Sequence, residues 1–201
     1  MKKFSEILIF ILMILSGLYY LYFTYVNANE FFIFDGFVYF VLILVFFIFF
    51  GFTLKNNLIR YHKDKSMKNF IPTFIGGFII FGVLVVNFYL WYRDSSEIIL
   101  QDNYDGDING YSFEFRKDGS YLFENGSVLG RSQFRGKYKI KDSLIFLDKN
   151  EIDNVVKTNQ LAIRYISENI NGKNKVIVQI DKKHNRIEDK YFDFVINIDK
   201  R

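Results

Sequence analysis

Three apolar stretches in the first half of the chain constrain its fold more than any other feature. Ile7 to Val26 runs for twenty positions without a charge, and at about 1.5 Å per helical residue that spans the roughly 30 Å hydrocarbon core of a bilayer. Phe37 to Leu54 has fifteen Phe, Val, Leu or Ile among eighteen residues, worth roughly 6 kcal/mol in favour of insertion at about 0.4 kcal/mol each. Ile71 to Tyr92 forms a third stretch, with Pro72 in its first turn, where a missing N–H costs little. The spacing predicts three membrane-crossing helices.

Their sidedness follows from the segment Lys55 to Lys68, which holds five bases (Lys55, Arg60, Lys63, Lys65, Lys68) against one acid, Asp64. Short loops this rich in Lys and Arg stay cytoplasmic. The connection from Asn27 to Asp35 carries Glu30 and Asp35 and no base, so it belongs on the far side. Tyr19, Tyr20, Tyr22 and Tyr25 at one helix end and Trp91 and Tyr92 at another suit the headgroup boundary. The expectation is a multi-pass protein of a bacterial cytoplasmic membrane, with a cytoplasmic N-terminus, a transmembrane region over 1–92 and an extracytoplasmic domain over 93–201. Val26-Asn27-Ala28 fits a signal-cleavage rule, but twenty apolar residues are long for a signal, and the first helix is expected to be retained.

Charge and composition exclude several classes. Residues 1–92 hold seven Lys or Arg and four acids, and residues 93–201 hold nineteen and eighteen. The basic excess therefore follows topology and does not argue for nucleic acid. There is no cysteine, which rules out disulfides and Cys-based zinc sites. No Lys, Arg, Glu or His lies inside an apolar stretch, so an ion or proton path is not indicated. Asn87, the one strongly polar residue well inside the third stretch, is expected to make an inter-helix hydrogen bond. Ser16, Gly17, Gly76, Gly77 and Gly82 permit close helix approach without forming a G-x-x-x-G pair.

From Asp94 onward the pattern changes to alternation with turn residues every nine to twelve positions, the signature of an all-β sandwich or barrel. Eight strands are predicted near 96–101, 109–117, 120–125, 133–140, 143–148, 160–167, 174–181 and 190–198, as an antiparallel meander or barrel. Tyr111, Phe113 and Phe115 share one face, as do Phe134, Tyr138 and Ile140, and these faces should form the core. The segments FRKDGSYLF (Phe115 to Phe123) and GKYKIKDSLIFL (Gly136 to Leu147) resemble the strand and turn pattern of lipocalin-like β-domains of small bacterial exported or membrane proteins. That family's Gly-x-Trp is absent. The resemblance implies a barrel whose interior is filled by side chains or holds one small ligand.

Candidate sites are few. Asp105, Asp107 and Asn109, with Gly110 at the sixth place, match the first half of a calcium loop, although the twelfth place is Arg116. A polar Gly-rich turn explains the same residues, so no resident cofactor is expected beyond this candidate calcium. Arg135, Lys137 and Lys139 form a basic ladder able to bind an anion, with cross-strand pairing to Glu114 and Glu124 as the alternative. Lys182 to Arg186 reads as a solvated basic turn. His62 and His184 fall in different halves, so they form no shared metal site or triad. No nucleophile elbow, dinucleotide loop or P-loop occurs.

These features suggest a non-enzymatic membrane protein whose exported β-domain binds a protein partner or small amphiphilic ligand at the membrane surface, in the manner of an immunity-type or envelope accessory protein. Two alternatives remain: a membrane-disrupting effector whose barrel senses a cyclic oligonucleotide in the cytosol, and a structural or assembly subunit of the envelope.

Overall fold

The computed structural model describes residues 2–106, 108–170, 172–187 and 193–201. The chain divides into two compact units, Met1–Asp94 and Ser95–Arg201.

The first unit is helical. Helices α1 (Lys2–Val26), α2 (Asp35–Asp64) and α3 (Ile71–Arg93) are joined by a short segment containing strand β1 (Glu30–Phe32) and by a 3-10 turn at Met67–Phe70. All three helices are long and apolar enough to cross a membrane. Met13, Phe46 and Ile79, one from each helix, form the buried centre of the bundle. Glycine lets the helices meet there. A Cβ on Gly17 would lie 2.7 Å from Ile79 and 2.9 Å from Phe46, and one on Gly76 would lie 2.5 Å from the Phe50 ring. Gly77 has open space at the same position.

The segment read from sequence as a polar bridge is mostly helix. α2 runs thirty residues, about 45 Å at the usual rise, and the chain reverses only at Lys65, whose left-handed φ of 57° ends the helix. The reason lies in the inward seam of α2. Phe46, Phe50, Thr53, Asn57 and Arg60 recur at alternating spacings of four and three, so one stripe keeps facing its neighbours after the outer face has become basic. Asn57 donates to the Thr73 hydroxyl at 2.7 Å, and Arg60 pairs with Glu6. Asn87 departs from expectation. It is exposed and donates to Val83 O of its own helix at 2.8 Å, because its position on α3 points away from the seam. The inter-helix amide is Asn57 instead.

The second unit is a closed antiparallel barrel of eight strands: β2 (Ile98–Gly106), β3 (Asn109–Arg116), β4 (Ser120–Ser127), β5 (Gly130–Lys141), β6 (Leu144–Leu147), β7 (Gln160–Ile170), β8 (Lys173–Gln179) and β9 (Phe194–Asp199). Each strand pairs with the next in sequence, and β9 returns to β2. This up-and-down order needs only short connections and leaves no exposed edge. All eight strands fall where alternation predicts them, with ends shifted by a few residues. Residues 190–192 of the predicted last strand lie outside the described residues. Tight turns follow the local chemistry, with Gly119 at φ 78° and Asp142 at φ 57°.

Inside the barrel, Leu100, Phe113, Phe115, Tyr121, Phe123 and Phe194 are joined by aliphatic residues from β6 to β9 in one buried cluster. Phe113 lies at its centre, with ring centroids 4.7 Å from Phe123 and 5.6 Å from Phe194. A second cluster, Ala162, Val176, Val178 and Ile180, comes from alternate positions of β7, β8 and the residue just past β8. The turn at Asp181–Ile187 reaches this side of β7, where Arg164 donates to His184 O at 2.9 Å.

Candidate functional site

Meander order sorts the connections into two groups. The 117–119 and 142–143 turns and Gly172 lie at the barrel end where the chain enters β2. Ile108, the 128–129 and 148–159 connections and the Asp181–Ile187 turn lie at the other end, which carries two of the three features unexplained by packing; the remaining one, Asp102, sits at mid-barrel.

The first is a plug. Between β6 and β7 the chain folds into the barrel mouth, burying Ile152 and Val156 in the main core. Their backbones bond each other at 2.9 and 3.0 Å. The intervening turn puts Asp153 and Asn154 at φ 54° and 55°, a left-handed pair that Asp and Asn tolerate well. Buried Gln179 of β8 fastens the plug: its amide donates to Val155 O at 2.9 Å, and its carbonyl accepts the Lys157 N–H at 2.7 Å. Asn125 of β4 donates to the Asp153 carboxylate on the opposite side. The mouth is stoppered by apolar side chains and held by polar ones.

The second is Asp102 of β2. Leu100, Asp102 and Tyr104 alternate on the face of β2 that joins the core, a signal present in the spacing. Asp102 is 0% exposed. One oxygen accepts the Phe113 N–H at 2.8 Å, while the other has no hydrogen-bond partner. Burial raises its pKa well above the ordinary carboxylate value. Tyr121 is buried too, its hydroxyl pushed up by burial and by the neighbouring Asp148 carboxylate. The Tyr121 ring packs over Gly136, where a Cβ would come within 2.6 Å of it and collide with Asp148.

The third is apolar and outside. Ile108, Val128 and Leu129 are 71%, 73% and 60% exposed. The register Asn109↔Ser127 places the β2–β3 and β4–β5 turns side by side. Three large aliphatic side chains therefore project from adjacent hairpin tips, where a soluble loop would carry polar groups.

The sequence-predicted sites are dispersed. Asp105 pairs across the hairpin with Gly110, and Gly106 with Asn109, so Asp105 and Asn109 belong to the paired strands β2 and β3. Asp107 lies outside the described residues. Among the described residues no cluster of three His, Asp or Glu is placed to hold a metal. On β5, Arg135 donates to Gln133, which donates to Glu124, each at 2.8 Å, and Arg131 pairs with Glu124 at 3.6 Å. Glu114 pairs with Arg116 of its own strand. Lys137 and Lys139 are exposed. His62 lies on α2 and His184 in the Asp181–Ile187 turn. No protein family matches this chain, and no curated protein or solved structure shows significant similarity to it.

Proposed function

We propose that this is a non-enzymatic, membrane-anchored recognition protein whose barrel meets a protein partner through its far hairpin tips. The exposure of Ile108, Val128 and Leu129 on adjacent turns carries this reading. Isolated exposed aliphatics are ordinary, but three together at loop tips mark an interaction surface. The aromatic interior and its Ile152–Val156 plug favour an external protein partner over a small amphiphile held in the barrel.

In this reading the N-terminus and the basic end of α2 are cytoplasmic, and the barrel faces the outer side of a bacterial cytoplasmic membrane. An immunity-type or envelope accessory role suits that placement. A photo-crosslinking residue at Val128 should give a discrete partner adduct in cells of the native host, whereas one at Lys117, at the opposite barrel end, should not. Equal adducts at both positions, or none at 128, would dismiss the tips as the binding surface.

A further inference from the structure

The Lys55–Asp64 end of the helical unit contains a half-open, mostly apolar cleft of about 160 Å³ with a few polar groups at its rim and floor. Glu6, Ile7 and Phe10 of α1, Thr53, Asn56, Asn57 and Arg60 of α2, and Pro72 of α3 line it. Its depth is informative. The charge-free run of α1 begins at Ile7, that of α2 ends at Leu54, and α3 begins at Ile71, so all three helices place the cavity at one hydrocarbon boundary. A bilayer presents phosphate and headgroup at that depth.

The lining has an unmet polar demand. Thr53 is 5% exposed and its hydroxyl has no hydrogen-bond partner, and a buried polar group is normally satisfied. Asn57 is 2% exposed, with its amide N–H directed to Thr73. At the mouth, Arg60 and Glu6 form an ion pair while both remain partly accessible. The site thus holds one fixed cation and one fixed anion beside a buried hydroxyl, with Ile7 and Phe10 as an apolar wall.

We infer that this cavity binds the headgroup of a phospholipid carrying both a phosphate and a primary ammonium, of the phosphatidylethanolamine type. Arg60 takes the phosphate, for which a guanidinium fork is well shaped. Glu6 accepts hydrogen bonds from the ammonium, which a quaternary choline cannot donate. Thr53 donates to a phosphate or ester oxygen, and the acyl chains leave past Ile7 and Phe10. The cleft has room for several waters, and so for a small polar headgroup. A zwitterion exchanges the Glu6–Arg60 pair for two equivalent contacts without leaving net charge in the site.

Native mass spectrometry of the full chain in detergent, titrated with phosphatidylethanolamine, phosphatidylglycerol and phosphatidylcholine vesicle lipids, tests this. Phosphatidylethanolamine should be retained about tenfold better than the other two, the difference that one charge-assisted hydrogen bond supplies. Glu6→Gln should invert the order in favour of phosphatidylglycerol, and Arg60→Gln should weaken all three. Thr53→Val breaks no bond within the protein and removes a buried unpaired hydroxyl, so it should leave lipid-free melting unchanged or raised and still reduce phosphatidylethanolamine retention. Equal retention of the three lipids, an unchanged order in Glu6→Gln, or full retention in Thr53→Val would overturn the assignment.

Discussion

Asp102 is a carboxyl group inside an aromatic barrel, and its cost can be measured. Its folded pKa stands above the unfolded value of about 3.9. The folded state therefore keeps a proton that the unfolded chain has released. This group's contribution is most favourable below about pH 4 and declines as pH rises toward the folded pKa, by about 1.4 kcal/mol per unit of difference. Asp102→Asn keeps an oxygen for the Phe113 N–H and removes the titration. It should stabilise the barrel at pH 7 and flatten the decline of its stability with rising pH in urea unfolding. Gly136→Ala should do the reverse, costing roughly 1–3 kcal/mol by overpacking against Tyr121 and Asp148. The alternation that sends Phe113 and Phe115 inward was legible and set the core. Asp102 obeys the same parity, but an acid at an inward position reads as surface charge until closure shows nowhere else for it to point.

Among the elements, the barrel strands were more legible than the end of α2, for a physical reason. A half-buried strand announces itself by a period of two, whereas α2 from Lys55 to Asp64 keeps only its narrow inward seam while its remaining faces turn basic. Charge density there resembles a loop, and only the four-three spacing of Thr53, Asn57 and Arg60 betrays the helix. The bundle's fit is equally specific. Gly76→Ala should destabilise it by about 1–3 kcal/mol because the added methyl meets Phe50, whereas Gly77→Ala, with open space, should be neutral or slightly stabilising. Thermal melts of the two variants in one detergent make the comparison. The plug had no sequence signature, since Ile152 and the Val155-Val156 pair are too short an apolar pattern, within a polar connection, to announce a buried segment. Gln179→Leu removes both of its backbone fastenings, so the barrel should lose about 2 kcal/mol, and limited proteolysis should begin cutting near Asp153-Asn154.

For the whole molecule, the division into an apolar helical unit and an alternating β unit was readable from composition, because the two obey different periods and solvents. The decisive quantity is the compartment occupied by the second unit. In the proposed reading, five bases between Lys55 and Lys68 against one acid, and only acids between Asn27 and Asp35, argue for the same orientation from two connections, and three crossings would then carry the barrel outside. An effector sensing a cyclic oligonucleotide needs the barrel in the cytosol, since a nucleotide made there cannot reach it across the bilayer. The chain lacks cysteine, so single introduced thiols report without background. Cysteine at Ser127, exposed beside the β4–β5 turn, should react with a membrane-impermeant maleimide in intact spheroplasts. Cysteine at Lys63, exposed near the basic end of α2, should react only after permeabilisation. The opposite pattern would place the tips in the cytosol, eliminate an outer-surface partner, and leave the cytosolic sensor as the reading consistent with the fold.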